Sequence, residues 1–238
     1  IIAMKKKKVV ALTGAGISAE SGLKTFRDTD GLWEEYRIED VATYEAWTRN
    51  PALVLEFYNK RRAQLATVTP NAAHLALVKL EQKFDVQIIT QNVDDLHERA
   101  GSTKILHLHG ELTKVRSTRF PELVSEIGYK EILPGDLCEK GFQLRPHIVW
   151  FGEAVPLIED AAELTLQADI LLVIGTSLAV YPAAGLIHYV RPGCPIYLID
   201  PGSLQVPRIP GLTFIREKAG TGLPPLVDQL LSGSASNN

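Results

Sequence analysis

Short apolar runs alternate along the chain with segments of helical periodicity. The apolar runs predict buried strands at residues 9–13, 86–90, 105–108, 147–150, 170–175, 196–200 and 213–215. Apolar residues at helical spacing predict helices at residues 17–22, 71–82, 157–167, 183–190 and 223–231. Because strands that alternate with helices are typical of parallel sheets, the pattern predicts an α/β fold with a mostly parallel sheet and helices on both faces.

Two stretches interrupt the alternation and predict a smaller inserted module. Residues 28–69 contain no convincing strand and favour helices, with Asn50 and Pro51 as a cap and first turn. Residues 113–143 are polar and irregular, and they contain several prolines and glycines. We therefore expect a discontinuous sheet domain at residues 4–27, 70–112 and 144–231, a small module at 28–69 and 113–143, and a disordered tail at 232–238.

Composition and charge exclude several classes of protein. The 238 residues include 25 Lys or Arg and 28 Asp or Glu, so the net charge is −3. Because binding to the nucleic-acid phosphate backbone usually shows as a surplus of basic residues, nucleic acid is not an expected partner. No apolar run approaches the roughly 18 residues of a membrane span, and no signal-peptide pattern opens the sequence. The two cysteines, Cys138 and Cys194, cannot build a disulfide scaffold, so we expect a reduced, cytoplasmic setting.

A glycine turn follows the first predicted strand. Residues 14–19, with the sequence G-A-G-I-S-A, match the pattern G-x-G-x-x-[GA]. Such glycines let the backbone approach a pyrophosphate, and we expect the next helix to offer free N–H groups there. A tight turn without a ligand is the alternative. A dehydrogenase is disfavoured, because Glu34 and Glu35 stand at the required distance but in a segment without a strand pattern. Instead Phe26 and Arg27 follow, side by side, in a loop that suits a lid over a nucleotide.

Polar residues also follow three later strands, where an open α/β sheet places its ligand contacts. They are residues 91–97, residues 175–177 and Asp200. Taken singly, each has a structural alternative: a helix cap at Asp94 or Asp95, a plain turn at 175–177, and a turn before Pro201 and Gly202.

The histidines offer one candidate base. His107 and His109 flank Leu108, and strand alternation would put both on one face, as a two-histidine metal site requires. No neighbouring ligand completes such a site unless the strand continues to Glu111, so we predict no metal. A single histidine at a strand end is a good general base. The remaining histidines are predicted to be structural, with their hydrogen bonds satisfied; they are His74, His97, His147 and His188.

Six motifs together resemble the sirtuins, across residues 9 to about 231 and most closely the bacterial sirtuins that also remove acidic acyl groups. They are residues 14–22, 25–27, 91–94, 107–111, 149–153 and 175–177. The resemblance implies a Rossmann-like sheet domain, NAD as cofactor and acyl-lysine proteins as substrates. It also implies transfer of the acyl group to ADP-ribose with release of nicotinamide.

The resemblance also assigns roles to residues. It implies that His109 is the base that takes a proton from a ribose hydroxyl, and that Asn92 and Asp94 hold the ribose and nicotinamide. The implied cofactor-binding residues are Gly14, Ala15, Gly16, Ile17, Glu20, Thr25, Phe26, Arg27, Trp33, Gln91, Asn92, Val93, Asp94, Gly175, Thr176, Ser177, Asp200, Pro201, Gly202 and Ala219. The peptide would add as a strand beside residues 149–151 and 178–181, with contacts from Val149, Phe151 and Val180.

A tyrosine and an arginine bear on which acyl groups the protein accepts. Tyr58 and Arg61 lie three residues apart in a helix predicted at about residues 52–65, so they share a face. Spacing alone favours the alternative, with Tyr58 in the core and Arg61 solvated beside Arg62. However, the pair resembles the Tyr-x-x-Arg of sirtuins that accept succinyl-lysine, and a guanidinium can bind a carboxylate through two hydrogen bonds. We therefore expect acetyl- and succinyl-lysine proteins as partners.

The chain departs from the family in two places. Sirtuins usually hold a structural zinc with four cysteines, but here Ser117 follows Arg116 and only Cys138 stands in that segment. We expect a zinc-free module with a core drawn from Phe120, Leu123, Ile127, Tyr129, Ile132, Leu133, Leu137 and Phe142. Asp200 stands where the family often has Asn. Two alternatives remain open: a protein ADP-ribosyltransferase that uses the same NAD site, and a non-catalytic module that binds NAD or ADP-ribose.

Overall fold

The structure is a computed structural model that describes residues 6–23, 32–33, 36–202 and 209–233. Its strands are β1 (Lys8–Thr13), β2 (Leu32–Trp33), β3 (Tyr36–Arg37), β4 (Asp85–Thr90), β5 (Ile105–His107), β6 (Gly110–Ser117), β7 (Val124–Glu126), β8 (Leu144–Ile148), β9 (Ile170–Ile174), β10 (Ile196–Ile199) and β11 (Leu212–Ile215). Its α-helices are α1 (Gly16–Ala19), α2 (Ile38–Val41), α3 (Tyr44–Arg49), α4 (Pro51–Thr67), α5 (Ala72–Leu80), α6 (Leu96–Ala100), α7 (Ile158–Leu166) and α8 (Ala219–Ser232), and a 3-10 helix spans Ala183–Tyr189.

A parallel sheet with the strand order β11-β10-β9-β1-β4-β5 forms the main layer. Successive residues of β1 alternate between two cores. Val9 packs with Leu77 of α5 and Leu223 of α8, whereas Val10 packs with residues of α7 and the 3-10 helix. This arrangement confirms the predicted α/β fold with helices on both faces. It also explains why the strands appear as continuous apolar runs, since a strand covered on both faces has no polar side.

The strand order reverses at β1, which has β9 on one side and β4 on the other. Thr13 is level with Thr90 of β4 and with Ile174 of β9. The loops that follow these three strands therefore start at the same edge of the sheet. In open α/β sheets this reversal point leaves a crevice for ligands.

A small antiparallel sheet with the order β7-β6-β8 accompanies helices α2–α4. The prediction that residues 147–150 form a strand of the main sheet is therefore wrong: β8 ends at Ile148 and pairs with β6. A short apolar run indicates a buried strand but not which sheet the strand joins. The described part of the region 28–69 is mainly helical, as predicted, but it also contains the two-residue pair β2 and β3.

The predicted core of the small module is only partly confirmed. Ile132 is buried with Leu55 and Val115, and Phe120 and Phe142 form a ring contact. Leu133, Leu137 and Tyr129 are exposed to 52%, 56% and 40% instead. Residues 129–143 have few regular elements, so the spacing of apolar residues there does not indicate which of them face inward.

The sequence predicts the start of α4 correctly but misplaces both ends of α8. The Asn50 side chain accepts from the Leu53 N–H at 3.2 Å, and Pro51 occupies the first turn of α4, as predicted. The last helix begins at Ala219, four residues before the predicted start, and it extends through Ser232 into the predicted tail. Residues 234–238 lie outside the described part of the chain. Among the described helices, none combines the length and the apolar character that crossing a membrane requires.

Candidate active site

A cavity of about 620 Å³ opens where β1, β4 and β9 end. Its volume is within the range of small-molecule and cofactor sites. The predicted site residues that line this main cavity are Gly14, Ala15, Gly16, Glu20, Tyr58, Arg61, Gln91, Asn92, Val93, Asp94, His109, Val149, Phe151, Gly175, Thr176, Ser177, Val180, Asp200, Pro201 and Ala219. Residues from distant parts of the chain thus meet in one place.

Some predicted residues are not among those that line the cavity. The side chain of Ile17 is fully buried in the sheet core, and Gly202 donates its N–H to Asp200 Oδ1 at 2.8 Å. Thr25, Phe26 and Arg27 lie outside the described residues, as does the side chain of Trp33.

Several lining residues were missed. They include Ser18, Leu23, Ala42, Trp150, Glu153, Val155 and Lys218. Ser18 and Trp150 stand inside recognisable motifs, so the motifs themselves could have pointed to them. Leu23, Ala42 and Val155 carry no such signal, because they are ordinary apolar residues that only the tertiary fold brings to the cavity.

The glycines of the turns at residues 14–16 and 175–177 pack directly on each other. A Cβ placed on Gly14 would lie 2.8 Å from Gly175 O, and one on Gly16 would lie 2.7 Å from Gly175 Cα. Gly175 itself has a φ of +62°. Glycine is therefore required at these positions for the contact between the two turns, whether or not a ligand is bound.

The expectation of free N–H groups at the first helix is wrong. Helix α1 is only four residues long. The N–H groups of Gly16, Ile17 and Ser18 already donate to carbonyl oxygens of Gly175, Gly14 and Ala15, at 2.8–3.1 Å. The contact with Gly175 occupies the Gly16 N–H, and bonds within residues 14–18 occupy the other two N–H groups.

Asn92, Ser18 and Asp94 form a buried hydrogen-bonded chain beside the glycine turn. Asn92 Nδ2 donates to Gly14 O and to Ser18 Oγ, both at 3.1 Å, and Ser18 Oγ donates to Asp94 Oδ2 at 2.9 Å. Asp94 Oδ1 accepts from the Leu96 N–H, so it also supports the start of α6. Burial raises the pKa of Asp94. These bonds leave the amide oxygen of Asn92 without a donor among the described residues, in a wall of the cavity.

The orientation of His109 fixes its tautomer. Its Nδ1 lies 3.0 Å from the carbonyl oxygen of Gln91, and a carbonyl can only accept, so Nδ1 carries the hydrogen. Nε2 therefore keeps its lone pair when the ring is neutral. Burial lowers the pKa of His109, which favours the neutral form. A neutral imidazole in a cavity wall is the form that a general base requires.

His107 does not share a site with His109. Strand β5 ends at His107, and Leu108 and His109 form a turn, so the alternation that would place both on one face is broken. His107 lines a separate cavity together with Glu98 and Glu111. Its Nδ1 donates to Asn92 O at 3.1 Å, and its Nε2 pairs with Glu98 at 2.7 Å.

One group among the described residues has donor atoms close enough to hold a metal ion. Donor atoms of Glu98, His107 and Glu111 all lie within 4.8 Å of one another. Lys114 Nζ already lies 2.7 Å from Glu111, and Glu98 already bonds to His107 and raises its pKa, so both carboxylates have partners within the protein. The absence of a bound metal remains a prediction.

The other histidines are less completely bonded than expected. His74 Nδ1 accepts from the Asn71 N–H, and His97 Nε2 lies 3.1 Å from Thr13 Oγ1. The second ring nitrogens of His74 and His97, and Nδ1 of His147, are buried without a partner in the described part of the chain. His188 is exposed.

Tyr58 and Arg61 lie in the wall of the same cavity as His109. They are 1% and 8% exposed, so the alternative of a solvated Arg61 is wrong. Arg62 is fully buried and donates from Nε to Leu112 O. The Tyr58 hydroxyl accepts from Trp150 Nε1 at 3.0 Å. Tyr58 thus packs in the core, as the alternative held, and also lines the cavity.

The proposed peptide edge is partly used by the protein itself. The N–H groups of Val149 and Phe151 donate to the carbonyl oxygens of His109 and Ala42, at 2.9 and 3.0 Å. A peptide that adds here would therefore bond to the carbonyl groups of these two residues, not to their N–H groups.

Ser117 has a structural role in the small module. Its Oγ accepts from Cys138 Sγ at 3.3 Å and from the N–H groups of Arg119 and Phe120 at 3.3 and 3.2 Å. The hydroxyl thereby holds the turn at the end of β6 through its hydrogen bonds.

Comparisons with known proteins agree with this geometry. A family model described as Sir2 family matches residues 14–182. NAD-dependent protein deacylases of Bacteroides thetaiotaomicron and Helicobacter pylori are each 53% identical to this chain, over 94% of the chain and 98% of the relative. A crystal structure of a Sir2 homologue in complex with NAD has a TM-score of 0.86 at 41% identity, covering 96% of this chain and 91% of that one. A structure of Sir2 bound to acetylated peptide has a TM-score of 0.76 at 27% identity, with 97% and 95% covered. The chain therefore belongs to the Sir2 family, the sirtuins.

Proposed function

We propose that this protein is an NAD-dependent lysine deacylase that removes both acetyl and succinyl groups from proteins. The acyl group passes to ADP-ribose and nicotinamide is released. Membership in the Sir2 family and the deacylase relatives support the general activity. One observation carries the succinyl part: a buried tyrosine and a buried arginine, Tyr58 and Arg61, line the same cavity as His109.

The residues of the main cavity fit a dinucleotide. The turns at residues 14–16 and 175–177 present a wall with small side chains, and Asp200 provides a buried carboxylate that can accept from ribose hydroxyls. NAD supplies a ribose carbon whose leaving group is nicotinamide. We assign the dinucleotide to Gly14, Ala15, Gly175, Thr176 and Ser177.

The polar residues at the reacting end have distinct tasks. His109 takes a proton from a ribose hydroxyl at Nε2, since Nδ1 is committed to Gln91 O. Asn92 and Asp94 orient the ribose and the nicotinamide amide, and Ser18 holds both side chains in place. The buried setting keeps water from competing with the acyl group.

Arg61 gives the pocket its preference for an acidic acyl chain. A guanidinium binds a carboxylate through charge-assisted hydrogen bonds, and it stays charged when buried. An acetyl group has no carboxylate and therefore offers Arg61 no charge. The pocket therefore accepts both acyl groups but recognises only the distal carboxylate of succinyl-lysine.

A panel of peptides tests the proposal. One peptide sequence is prepared with unmodified, acetylated and succinylated lysine, each is incubated with NAD, and products are identified by mass spectrometry. We expect O-acyl-ADP-ribose and nicotinamide from both acylated peptides. ADP-ribosylated protein without acyl transfer would favour a transferase instead, and no turnover at all would favour a binding module. Wild-type inactivity on succinyl-lysine would reject the acidic pocket.

The variant Arg61→Met sharpens the test. Leaving a buried carboxylate without its partner costs about 2–5 kcal/mol, so kcat/KM for the succinylated peptide should fall by roughly 30-fold to several-thousand-fold. The acetylated peptide should be affected little. Lys60→Met is the matched control. It also removes a positive charge from α4, but Lys60 is exposed beside Glu56. An equal loss on both peptides would mean that Arg61 is structural.

We also propose a cytoplasmic location. Both cysteines are free thiols, Cys138 half-buried and Cys194 buried, which suits a reducing compartment. Fluorescence microscopy of cells that express a tagged protein, compared with a membrane marker, checks this.

A further inference from the structure

The hydroxyl of Tyr58 has an unused donor in a buried position. Tyr58 is 1% exposed and its oxygen accepts from Trp150 Nε1 at 3.0 Å. An indole N–H can only donate, so the hydroxyl hydrogen must point to a different group. Within the described ranges no residue accepts that hydrogen, and the neighbouring guanidinium of Arg61 offers only donors. Tyr58 also lines the main cavity, where a ligand can accept from its hydroxyl.

We propose that Trp150 is a specificity-determining positioning residue, which directs the Tyr58 hydroxyl hydrogen toward the cavity to donate to the distal carboxylate of the acyl chain. The inference rests on the proposed desuccinylase activity and adds a residue to it. Arg61 contributes the charge, and the Tyr58 hydroxyl contributes a second, neutral donor whose direction Trp150 sets.

Trp150 is itself held rigidly. The guanidinium carbon of Arg145 lies 3.4 Å from the centroid of the Trp150 ring, and the ring of Trp47 packs nearby at 5.6 Å. Arg145 donates from Nη1 and Nη2 to the two oxygens of Glu153, at 2.8 and 3.0 Å. Glu153 in turn accepts from the Trp150 N–H at 2.8 Å. The indole thus has backbone and ring both fixed, as a residue that orients another group requires.

The Tyr58 hydroxyl remains a donor at physiological pH. Burial raises the pKa of Tyr58 well above its ordinary value, and this outweighs the opposite effects of Arg61 and of the Trp150 hydrogen bond. A protonated phenol can donate to a carboxylate, whereas a phenolate would repel it. An acetyl group has no distal acceptor, so the orientation of the hydroxyl matters for succinyl-lysine alone.

Four variants test the role of Trp150, each assayed for kcat/KM on the succinylated and acetylated forms of one peptide. Trp150→Phe keeps a ring but removes the N–H, Tyr58→Phe removes the hydroxyl, and the double variant removes both. Trp47→Phe is the matched control, since it trims an indole of the same cluster that does not bond to Tyr58. The ratio of the two kcat/KM values is compared, so that partial loss of folded enzyme cancels.

We expect Trp150→Phe to lower the succinyl-to-acetyl ratio by about three- to tenfold, the range of one hydrogen bond, mainly through KM of the succinylated peptide. In the Tyr58→Phe background the same change should lower the ratio no further. Trp47→Phe should keep the wild-type ratio.

Two results would overturn the inference alone: an unchanged ratio in Trp150→Phe, or a loss that persists undiminished in the Tyr58→Phe background. Both would be seen with a wild-type enzyme that still removes succinyl groups. A wild-type enzyme that removes only acetyl groups would instead overturn the proposed desuccinylase activity, and the inference with it.

Discussion

Replacing His74 with glutamine should make the protein more resistant to mild acid. The rings of His74 and His97 are fully buried, with centroids 5.0 Å apart. Burial lowers the pKa of His74 to about 4 and that of His97 well below its ordinary value. Both rings are therefore neutral in the folded protein, and protonating either one would place a charge in the core.

The sign and size of the effect follow from linkage. In the unfolded chain a histidine has a pKa of about 6.5, so below that pH the unfolded state binds a proton that the folded state does not. The free energy of unfolding therefore falls as pH drops from about 6.5 toward 4. With a folded pKa of about 4, His74 alone removes about 2 kcal/mol at pH 5, relative to neutral pH. His97 adds a loss of the same sign.

Reversible urea unfolding at pH 7.5 and pH 5.0 measures the effect. His74→Gln keeps the capping box of α5, because glutamine can accept from the Asn71 N–H as His74 Nδ1 does. The variant should lose about 2 kcal/mol less than the wild type between the two pH values. His188→Gln, at an exposed position, is the control and should behave as the wild type. Equal losses in wild type and His74→Gln would refute the reasoning.

Three further outcomes follow from the site. His109→Ala should lower kcat/KM for deacylation by about 10²- to 10⁴-fold while calorimetry still detects NAD binding; near-normal turnover would remove His109 as the base. Because burial lowers the pKa of His109, the acid limb of kcat/KM should lie below the ordinary imidazole value of about 6.5, and a limb above pH 7 would contradict this. Prolonged chelation should change neither the melting temperature nor activity, because Cys138 is the single cysteine of its segment and its thiol bonds to the Ser117 hydroxyl. Stoichiometric zinc in the purified protein would contradict this.

The sheet and the position of the site were predictable from sequence for a physical reason. Strands covered on both faces must be apolar throughout, and residues that leave such strands into a crevice must be small or polar. Gly14, Gln91 and Gly175 follow three such strands, and the register places them at one edge. The choice of His109 over the other histidines depended on the family motif, because His107 stands equally close to the strand end.

The predictions that were wrong are those that depend on how the chain runs between its helices and strands. The turn at Leu108 sends His107 and His109 into different cavities, which alternation along a strand cannot foresee. The Gly16 N–H, the first donor of α1, is used by Gly175 O, about 160 residues away in sequence, so no local pattern reveals that it is occupied. The hydrogen bond from Trp150 to Tyr58 likewise joins residues 92 positions apart.

The two ends of the main cavity are built by different kinds of packing, and this bears on how the activity can change. At the cofactor end, backbone contacts between Gly14 and Gly175 leave no room for a side chain, so almost any substitution there disturbs the turns themselves. At the proposed acyl end, the side chains of Tyr58, on α4, and Trp150, just after β8, belong to a core cluster separate from the two cores of the main sheet. We therefore expect that acyl preference can be altered through α4 and its aromatic neighbours without a substitution in the glycine turns, whose backbones touch each other directly.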